Sequence, residues 1–438
     1  MTQPTYWLAT LGCAKNQVDS EKVTAMLAEA GYAVAHSAEV ADVVMVNTCA
    51  FIEEARRESV ETILELEAAR KPGAKSIVMG CMAQRFGTEV EQALPEVDAV
   101  IGLDRYDELV ATLDRFTSQP GWRPVRLRRP SMDILHQVNR PAPTLPYAYV
   151  KVAEGCDKPC TFCAIPLIRG KQRSRRLANI VTEITQLSGS GVSEIVLVAQ
   201  DLAAYGRDIE APPTIVDLIR LVTAIEGVSQ VRLLYLYPKE IRPQLVAEIC
   251  QNPKVATYFD LSLQHASQAL LRSMKRPGDG DRFLGLISQI RVADAAAALR
   301  SSFIVGFPGE TDAHVEELAA FLREARLDWA GFFPYSPEEG TPAARLPNRV
   351  DPDEVGERLR FLQALQEEIT AAANLETVGS TVSVLIDQVE EGRPVGRSYR
   401  EAPEIDGMIT LDRGIAGEWR QARISAAYGP DREAVVVA

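Results

Sequence analysis

Histidine is scarce in this 438-residue chain: there are four, with no His-x3–5-His pair. The paired-histidine half of a zinc finger is therefore missing. No stretch reaches the roughly 18 uninterrupted apolar residues of a membrane span, so none is expected. Met1-Thr2-Gln3-Pro4-Thr5 lacks a basic region leading into an apolar core, and no secretory signal is expected from it. Positive charge is also short. Lys and Arg number 47 against 60 Asp and Glu, a formal net charge of -13. That balance disfavours non-specific binding to nucleic acid, which depends on neutralising phosphates. It favours a basic partner by electrostatic steering, and it equally suits a soluble acidic enzyme. Seven cysteines, an odd number in so long a chain, do not read as a disulfide framework. A reducing, cytoplasmic location is expected. The hydrophobic share of 46% with 24% charged residues is that of an ordinary globular protein, and the length suggests two to four domains.

The densest chemistry lies in Glu154-Gly155-Cys156-Asp157-Lys158-Pro159-Cys160-Thr161-Phe162-Cys163, a tight loop after a strand expected over 147–152. Three thiolates at C-x3-C-x2-C spacing can hold three irons of a 4Fe–4S cube and leave the fourth open to a non-protein ligand. Zinc, with a fourth ligand from elsewhere in the chain, is the alternative; the histidine nearest in sequence is His136. The spacing, with Phe162 before the last cysteine, resembles the signature of radical S-adenosylmethionine (SAM) enzymes. The resemblance implies that the open iron binds the amino and carboxylate groups of SAM. It also implies reductive cleavage of SAM to methionine and a 5′-deoxyadenosyl radical.

Residues 1–115 alternate strand and helix, the pattern of a parallel α/β domain. Strands are expected at 6–10, 43–47 and 76–79, with helices at 18–30, 53–69 and 83–94. Cys13, Cys49 and Cys81 each fall just past the carboxyl end of one of these strands. Such ends share one edge of an open sheet, where α/β folds bind ligands. Small buried hydrophobes are the plainer reading of free cysteines. The segments Leu-Gly-Cys-Ala-Lys-Asn-Gln-Val-Asp-Ser-Glu at 11–21, Val-Asn-Thr-Cys at 46–49 and Met-Gly-Cys at 79–81 resemble the N-terminal domain of methylthiotransferases. There the resemblance implies a second, auxiliary 4Fe–4S cluster held by the three cysteines and carrying the sulfur to be inserted.

Prolines at 120, 124, 130, 141, 143 and 146 mark residues 116–146 as a connection, and the basic run 123–129 reads as its solvated face. From 147 to 373 the alternation resumes, with strands expected at 148–152, 194–198, 231–235, 258–263, 299–305 and 329–334. Six β/α units make a partial (β/α)6 barrel, with function at the carboxyl ends of its strands. Gln200 and Asp201 follow the second strand, and Gln264 and His265 the fourth. Gly306-Phe307-Pro308-Gly309-Glu310 follows the fifth. The last segment resembles the Gly-x-Ile-x-Gly-x-x-Glu element that supports the adenine of SAM, with Ser302 in place of the first glycine. The family's Gly-Gly-Glu element is replaced by Val198-Ala199-Gln200-Asp201. Phe162, Gln200, Gln264, Gly306 and Glu310 are accordingly the expected SAM-binding residues. The basic run 169–176 suits either a solvated loop or neutralisation of clusters and the SAM carboxylate. Cys250, among Leu245, Val246 and Ile249 on a helical stretch, reads as a core residue.

After a charged helix over 353–373, residues 374–438 show short alternating runs punctuated by glycine, the pattern of a small antiparallel β barrel. Position and the segment Gly396-Arg397-Ser398-Tyr399-Arg400 resemble a TRAM domain. Residues 375–438 hold seven Arg, no Lys and eleven Asp or Glu, so the basic footprint of an RNA-binding module is absent.

The whole chain resembles radical SAM methylthiotransferases, of which the MiaB type modifies an adenosine in tRNA and the RimO type an aspartate of small-subunit ribosomal protein S twelve. Gln264-His265-Ala266-Ser267, Met274-Lys275-Arg276-Pro277-Gly278 and Ser336-Pro337-Glu338-Glu339-Gly340-Thr341 are similar to the second type. The acidic terminal barrel agrees, since a ribosomal protein is a basic partner. The resemblance implies addition of a methylthio group to the β-carbon of that aspartate, with two 4Fe–4S clusters and SAM as cofactors. It also implies a reductant protein and a sulfur donor as partners. Radical abstraction of hydrogen needs no acid–base dyad, so no proton-transfer residue is expected.

Overall fold

The computed structural model describes residues 3–119, 121–127, 135, 138–141, 143–210 and 212–437. Its N-terminal part is built around Val43–Thr48, an apolar run that ends in Asn47 and Thr48 and is buried at every residue. A strand buried on both faces requires parallel neighbours and helices above and below. In chain order the elements are β1 (Thr5–Thr10), α1 (Ala14–Glu29), β2 (Ala33–Val34), β3 (Val43–Thr48), α2 (Glu53–Ala69), β4 (Lys75–Gly80), α3 (Cys81–Ala93), β5 (Ala99–Ile101), α4 (Leu109–Ser118) and β6 (Val125–Arg126). All six strands pair in parallel, in the order β2-β1-β3-β4-β5-β6.

Several boundaries differ from the expected ones for identifiable reasons. α1 begins at Ala14 rather than 18, because its first turn, Ala14-Lys15-Asn16-Gln17, is polar and hides the apolar period. β5 and β6 are too short to show a period at all. α4 crosses the expected boundary at 115, and β6 adds a sixth strand from within the proline-rich connection. Arg123, expected on a solvated face, instead donates to the carbonyls of Val97 (2.9 Å) and Leu94 (3.1 Å) and fastens this segment down. Pro120, Arg128, Arg129, Pro130 and His136 lie outside the described residues.

The central part continues with β7 (Tyr147–Lys151), β8 (Ala153–Glu154), α5 (Ile165–Arg169), β9 (Arg173–Ser174), α6 (Leu177–Gly189), β10 (Glu194–Val198), α7 (Ile215–Thr223), β11 (Gln230–Leu233), α8 (Pro243–Gln251), β12 (Tyr258–Gln264), α9 (Gln268–Ser273), α10 (Gly280–Ala293), β13 (Ala298–Val305), α11 (Asp312–Ala325), β14 (Trp329–Pro334) and α12 (Pro352–Leu375). β7, β10 and β11 form one parallel sheet, and β12, β13 and β14 another. Parallel bridges Val231–Val255 and Leu236–Leu261 join them into an open six-stranded barrel. Its outer core packs the helices against residues such as Val150, Leu197, Leu233, Leu261 and Phe303. Its lumen is filled by Tyr147, Tyr149, Val196, Val198, Tyr258 and Trp329. Val18 of α1 enters that cluster from one end and Ala402 from the other. Cys250 is partly buried against the outer core.

The C-terminal part is a closed five-stranded barrel, ordered β15-β16-β17-β19-β18, of β15 (Thr381–Glu390), β16 (Arg393–Arg397), β17 (Ile409–Leu411), β18 (Trp419–Tyr428) and β19 (Asp431–Val436). β19 was not anticipated as a separate strand. The loop between β16 and β17 seals the amino ends of the central strands. Arg232 donates to the carbonyls of Tyr399 (2.7 Å) and Ser398 (3.0 Å), Trp329 to that of Arg400 (2.7 Å), and the Tyr258 hydroxyl to Asp406 (2.6 Å). Arg397, Arg400 and Arg432 are buried and paired with Glu194, Asp328 and Glu401. Three of this part's seven arginines are thus spent on internal ion pairs, so they are not available to an outside partner. Among the described residues no helix is long and apolar enough to cross a membrane.

Candidate functional site

β1, β3 and β4 are neighbours in the sheet, so the residues just past their ends lie side by side. Cys13 stands at the N-terminus of α1, Cys49 directly after β3, and Cys81 is the first residue of α3. The close approach is visible at Gly12 (φ +93°). A Cβ there would lie 2.9 Å from Cβ of Cys49 and 3.0 Å from its sulfur. A buried polar layer supports the three. Asn16 donates to the carbonyls of Leu11 (2.8 Å) and Thr48 (3.0 Å). Asn47 donates to the Asn16 carbonyl and the Ser20 hydroxyl, both at 2.9 Å. Burial works against the Cys13 thiolate, but Lys15 and Arg169 outweigh it and hold this thiol below its ordinary pKa. Burial pushes the Cys49 thiol up to about 12, with the charges of Cys81 and Cys13 adding to the shift.

Cys156, Cys160 and Cys163 occupy the loop after β8. The Lys158 amide donates to the Cys156 sulfur and Arg276 to the Cys160 sulfur, both at 3.4 Å. The loop is pinned from outside: the Thr161 amide binds the Met274 carbonyl (3.1 Å) and the Ala343 amide the Thr161 carbonyl (2.9 Å). The Met274–Gly278 motif and the turn just after Ser336–Thr341 therefore act as its scaffold. Glu338, buried, receives Arg56 and Arg85 from the N-terminal part, and Arg85 also donates to the Glu339 carbonyl (2.8 Å).

The two triads share one seam, and charged side chains join them. Arg169, from the basic run after the loop, is fully buried rather than solvated. It donates to Asn16 (2.6 Å), Asp19 (3.3 Å), Glu154 (2.8 Å) and the Cys81 sulfur (3.4 Å). Lys151 of β7 bridges Asp19 and Glu154, and Gln200 donates to Glu154 (2.8 Å). Within the same basic run, Arg175 is buried against Glu183 (2.6 Å) while Lys171 and Arg176 are exposed. Asn16, Asp19, Lys151 and Glu154 are not among the expected site residues, and Arg169 is expected only as one member of a basic run that suits either a solvated loop or neutralisation of clusters and the SAM carboxylate. The available signal was charge where none is expected: Lys151 and Glu154 interrupt an apolar strand, and the run 11–21 puts polar residues on the buried face of a helix.

Of the expected SAM residues, Gln200 reaches the seam through Glu154, and its own carbonyl oxygen is buried without a hydrogen bond. Phe162 packs against the outer core. Gln264 ends β12 with φ +76°. Gly306 turns with φ +80°, and its amide donates to Glu310 (2.9 Å), which also pairs with Arg358 at 3.0 Å. Glu310 is thus committed within the chain, under the turn. His265 Nδ1 accepts the amides of Ala266 and Ser267, both at 2.9 Å, so its proton sits on Nε2, 3.6 Å from the second Glu310 oxygen.

All seven cysteines are free. Each triad supplies three thiols, a donor set that fits three corners of a 4Fe–4S cube and falls one ligand short of a structural zinc site. A groove of about 1090 Å³ runs along the flank of the seam past Ile52, Arg56, Met82, Phe86 and Tyr335, and no cysteine lines it.

An open six-stranded parallel barrel with three thiols on the loop after its first strands defines a radical SAM protein, and residues 150–322 match the radical SAM superfamily. Residues 5–102 match the uncharacterized protein family UPF0004 and residues 378–437 the TRAM domain. The chain is 43% identical to the ribosomal protein uS12 methylthiotransferase RimO of Nostoc sp., over 94% of this chain and 93% of that one. It is 40% identical to the protein of that name from Saccharopolyspora erythraea, over 97% and 93%. The chain belongs to the ribosomal protein uS12 methylthiotransferase RimO family. Among solved structures, the radical S-adenosylmethionine methyltransferase TsrM of Kitasatospora setae shares the fold, with TM-score 0.54 and 14% identity over 76% of this chain and 73% of that one.

Proposed function

We propose that this protein adds a methylthio group to the β-carbon of an aspartate in ribosomal protein uS12, using SAM and two 4Fe–4S clusters. The observation that carries this reading is the meeting of two all-cysteine triads at one domain seam, in a chain that matches uS12 methylthiotransferases along almost its whole length. Cys156, Cys160 and Cys163 hold one cluster and Cys13, Cys49 and Cys81 the other. When bound, the first supplies the electron that cleaves SAM to a 5′-deoxyadenosyl radical, and the second supplies the sulfur. The chain's own residues orient and insulate. Arg276 and the Lys158 amide steady sulfurs on the loop, and Arg169 steadies Cys81. The Gly306 turn, braced by Glu310, and Gln200 and Gln264 at neighbouring strand ends line the SAM side, with Phe162 beneath the loop. A reductant protein and a sulfur donor complete the reaction.

Mass spectrometry of uS12 from a strain lacking this protein tests the reading. Loss of the methylthio mass shift, restored by the wild-type protein, is expected. An unchanged uS12, with loss of methylthio-adenosine from tRNA instead, would overturn it. Reconstituted protein is expected to hold about eight irons per chain, as two cubane clusters require; four would remove the second cluster.

A further inference from the structure

Lys15 stands two residues after Cys13, in the first turn of α1, and is 7% exposed. Its Nζ lies 3.4 Å from the centroid of the Tyr235 ring. Buried cations ordinarily meet an anion. Arg169 and Arg276 each donate to a cysteine sulfur. The charge of Lys15 favours the neighbouring Cys13 thiolate, but among the described residues its Nζ meets an aromatic ring and no carboxylate. An aromatic face holds a cation in place while leaving its N–H donors free.

The platform is built for this. Tyr235 has φ +65°, a left-handed conformation unfavourable for an aromatic residue. Its amide is held by Asp260 Oδ2 (2.9 Å), and the next amide, Leu236, by the Asp260 carbonyl (2.8 Å). Strain so firmly anchored collects at functional sites. Two residues on, Tyr237 takes Arg276 and Lys158 over its ring at 4.3 and 4.5 Å, and those two residues touch the loop triad. The segment 235–237 therefore reaches from Lys15, beside Cys13, to Lys158 and Arg276, whose backbone amide and guanidinium brace Cys156 and Cys160. A target carbon must meet a radical made at one triad and sulfur carried at the other, so it passes between them, along this segment. The carboxylate of an aspartate is one bond from its β-carbon.

We propose that Lys15, held over Tyr235, binds the carboxylate of the target aspartate and so selects an acidic side chain as substrate. The proposal rests on the uS12 reading above. The probe is a peptide of the modified uS12 loop, carrying either Asp or Asn at the target position, offered to reconstituted wild-type, Lys15→Met and Lys15→Arg proteins. Wild type should bind the Asp peptide about tenfold or more tighter than the Asn peptide, as a charged hydrogen bond predicts. Lys15→Met should lose that preference and raise KM for uS12 more than it lowers kcat, with iron and sulfide content unchanged. Lys15→Arg should keep most of the preference. A Lys15→Met protein with the wild-type Asp/Asn ratio overturns the proposal. So does one that loses auxiliary iron, since Lys15 would then serve the cluster. Wild-type protein that leaves uS12 unmodified overturns the parent reading instead.

Discussion

Cys156, Cys160 and Cys163 lie within eight residues of one loop, whereas Cys13, Cys49 and Cys81 come from the ends of three strands spread over 69 residues. The loop triad needs little beyond its own turn and a few pins, from Met274, Arg276 and Ala343. The strand-end triad needs the order β1-β3-β4, the Asn16 and Asn47 layer beneath it, and an arginine from the other side of the seam. A ligand set made by local spacing survives changes elsewhere. One made by tertiary packing shares its fate with the domain interface.

The sharpest test of that contrast removes one ligand from each triad. Cys156→Ala should abolish SAM cleavage altogether. Cys13→Ala should still release 5′-deoxyadenosine and methionine yet leave uS12 unmodified, as chromatography of the nucleoside and mass spectrometry of the protein would show. Full methylthio transfer by Cys13→Ala would dissolve the distinction.

The next effect concerns the arginines that touch each triad. Arg169→Met strips one partner from a buried ionic network, which typically costs about 3–5 kcal/mol. Arg276→Met removes hydrogen bonds to the Cys160 sulfur and the Ser262 carbonyl, worth roughly 1–3 kcal/mol. Urea unfolding of the two variants should rank them in that order, and equal losses would show that both triads depend alike on the seam.

A smaller effect follows from acid. Glu183 on α6 is held by Lys22 of α1 (3.1 Å), Arg175 (2.6 Å) and Arg140 (3.4 Å). Burial resists its charge, but Arg175, Lys22 and Arg140 together bring its pKa from 4.5 down to about 2. A carboxyl lowered on folding stabilises the protein fully above its unfolded pKa and loses that contribution as pH falls through the folded one. The window here runs from about 4.5 down to about 2, and the contribution at neutral pH is about 3 kcal/mol. Glu183→Gln should flatten the stability profile across that window; a profile identical to wild type would remove the seam from the acid response.

Regular apolar periods carried much of the fold into plain view. The expected strands at 194–198 and 329–334 and the helix at 53–69 coincide with β10, β14 and α2. Where the pattern misled, the buried face was polar or the element too short: the first turn of α1, and the strands β5 and β6. The same holds at the site. The cysteines of the two triads stand out by type and position, while the side chains that join the triads look like ordinary surface charge when only the linear chain is considered. Arg169 sits in a run with Lys171 and Arg176, and only it and Arg175 prove to be interior ion-pair members.

Residue type and local spacing determined the candidate loop triad, the three-part order of the chain and its family, because a loop of eight residues closes on itself whatever surrounds it. Strand order, the burial of Arg169, the placing of Lys15 over Tyr235 and the seating of the terminal barrel at the amino ends of the central strands were decided only by the tertiary structure. Each joins residues distant in the chain, and such contacts form where burying apolar surface forces polar groups to find partners across the seam.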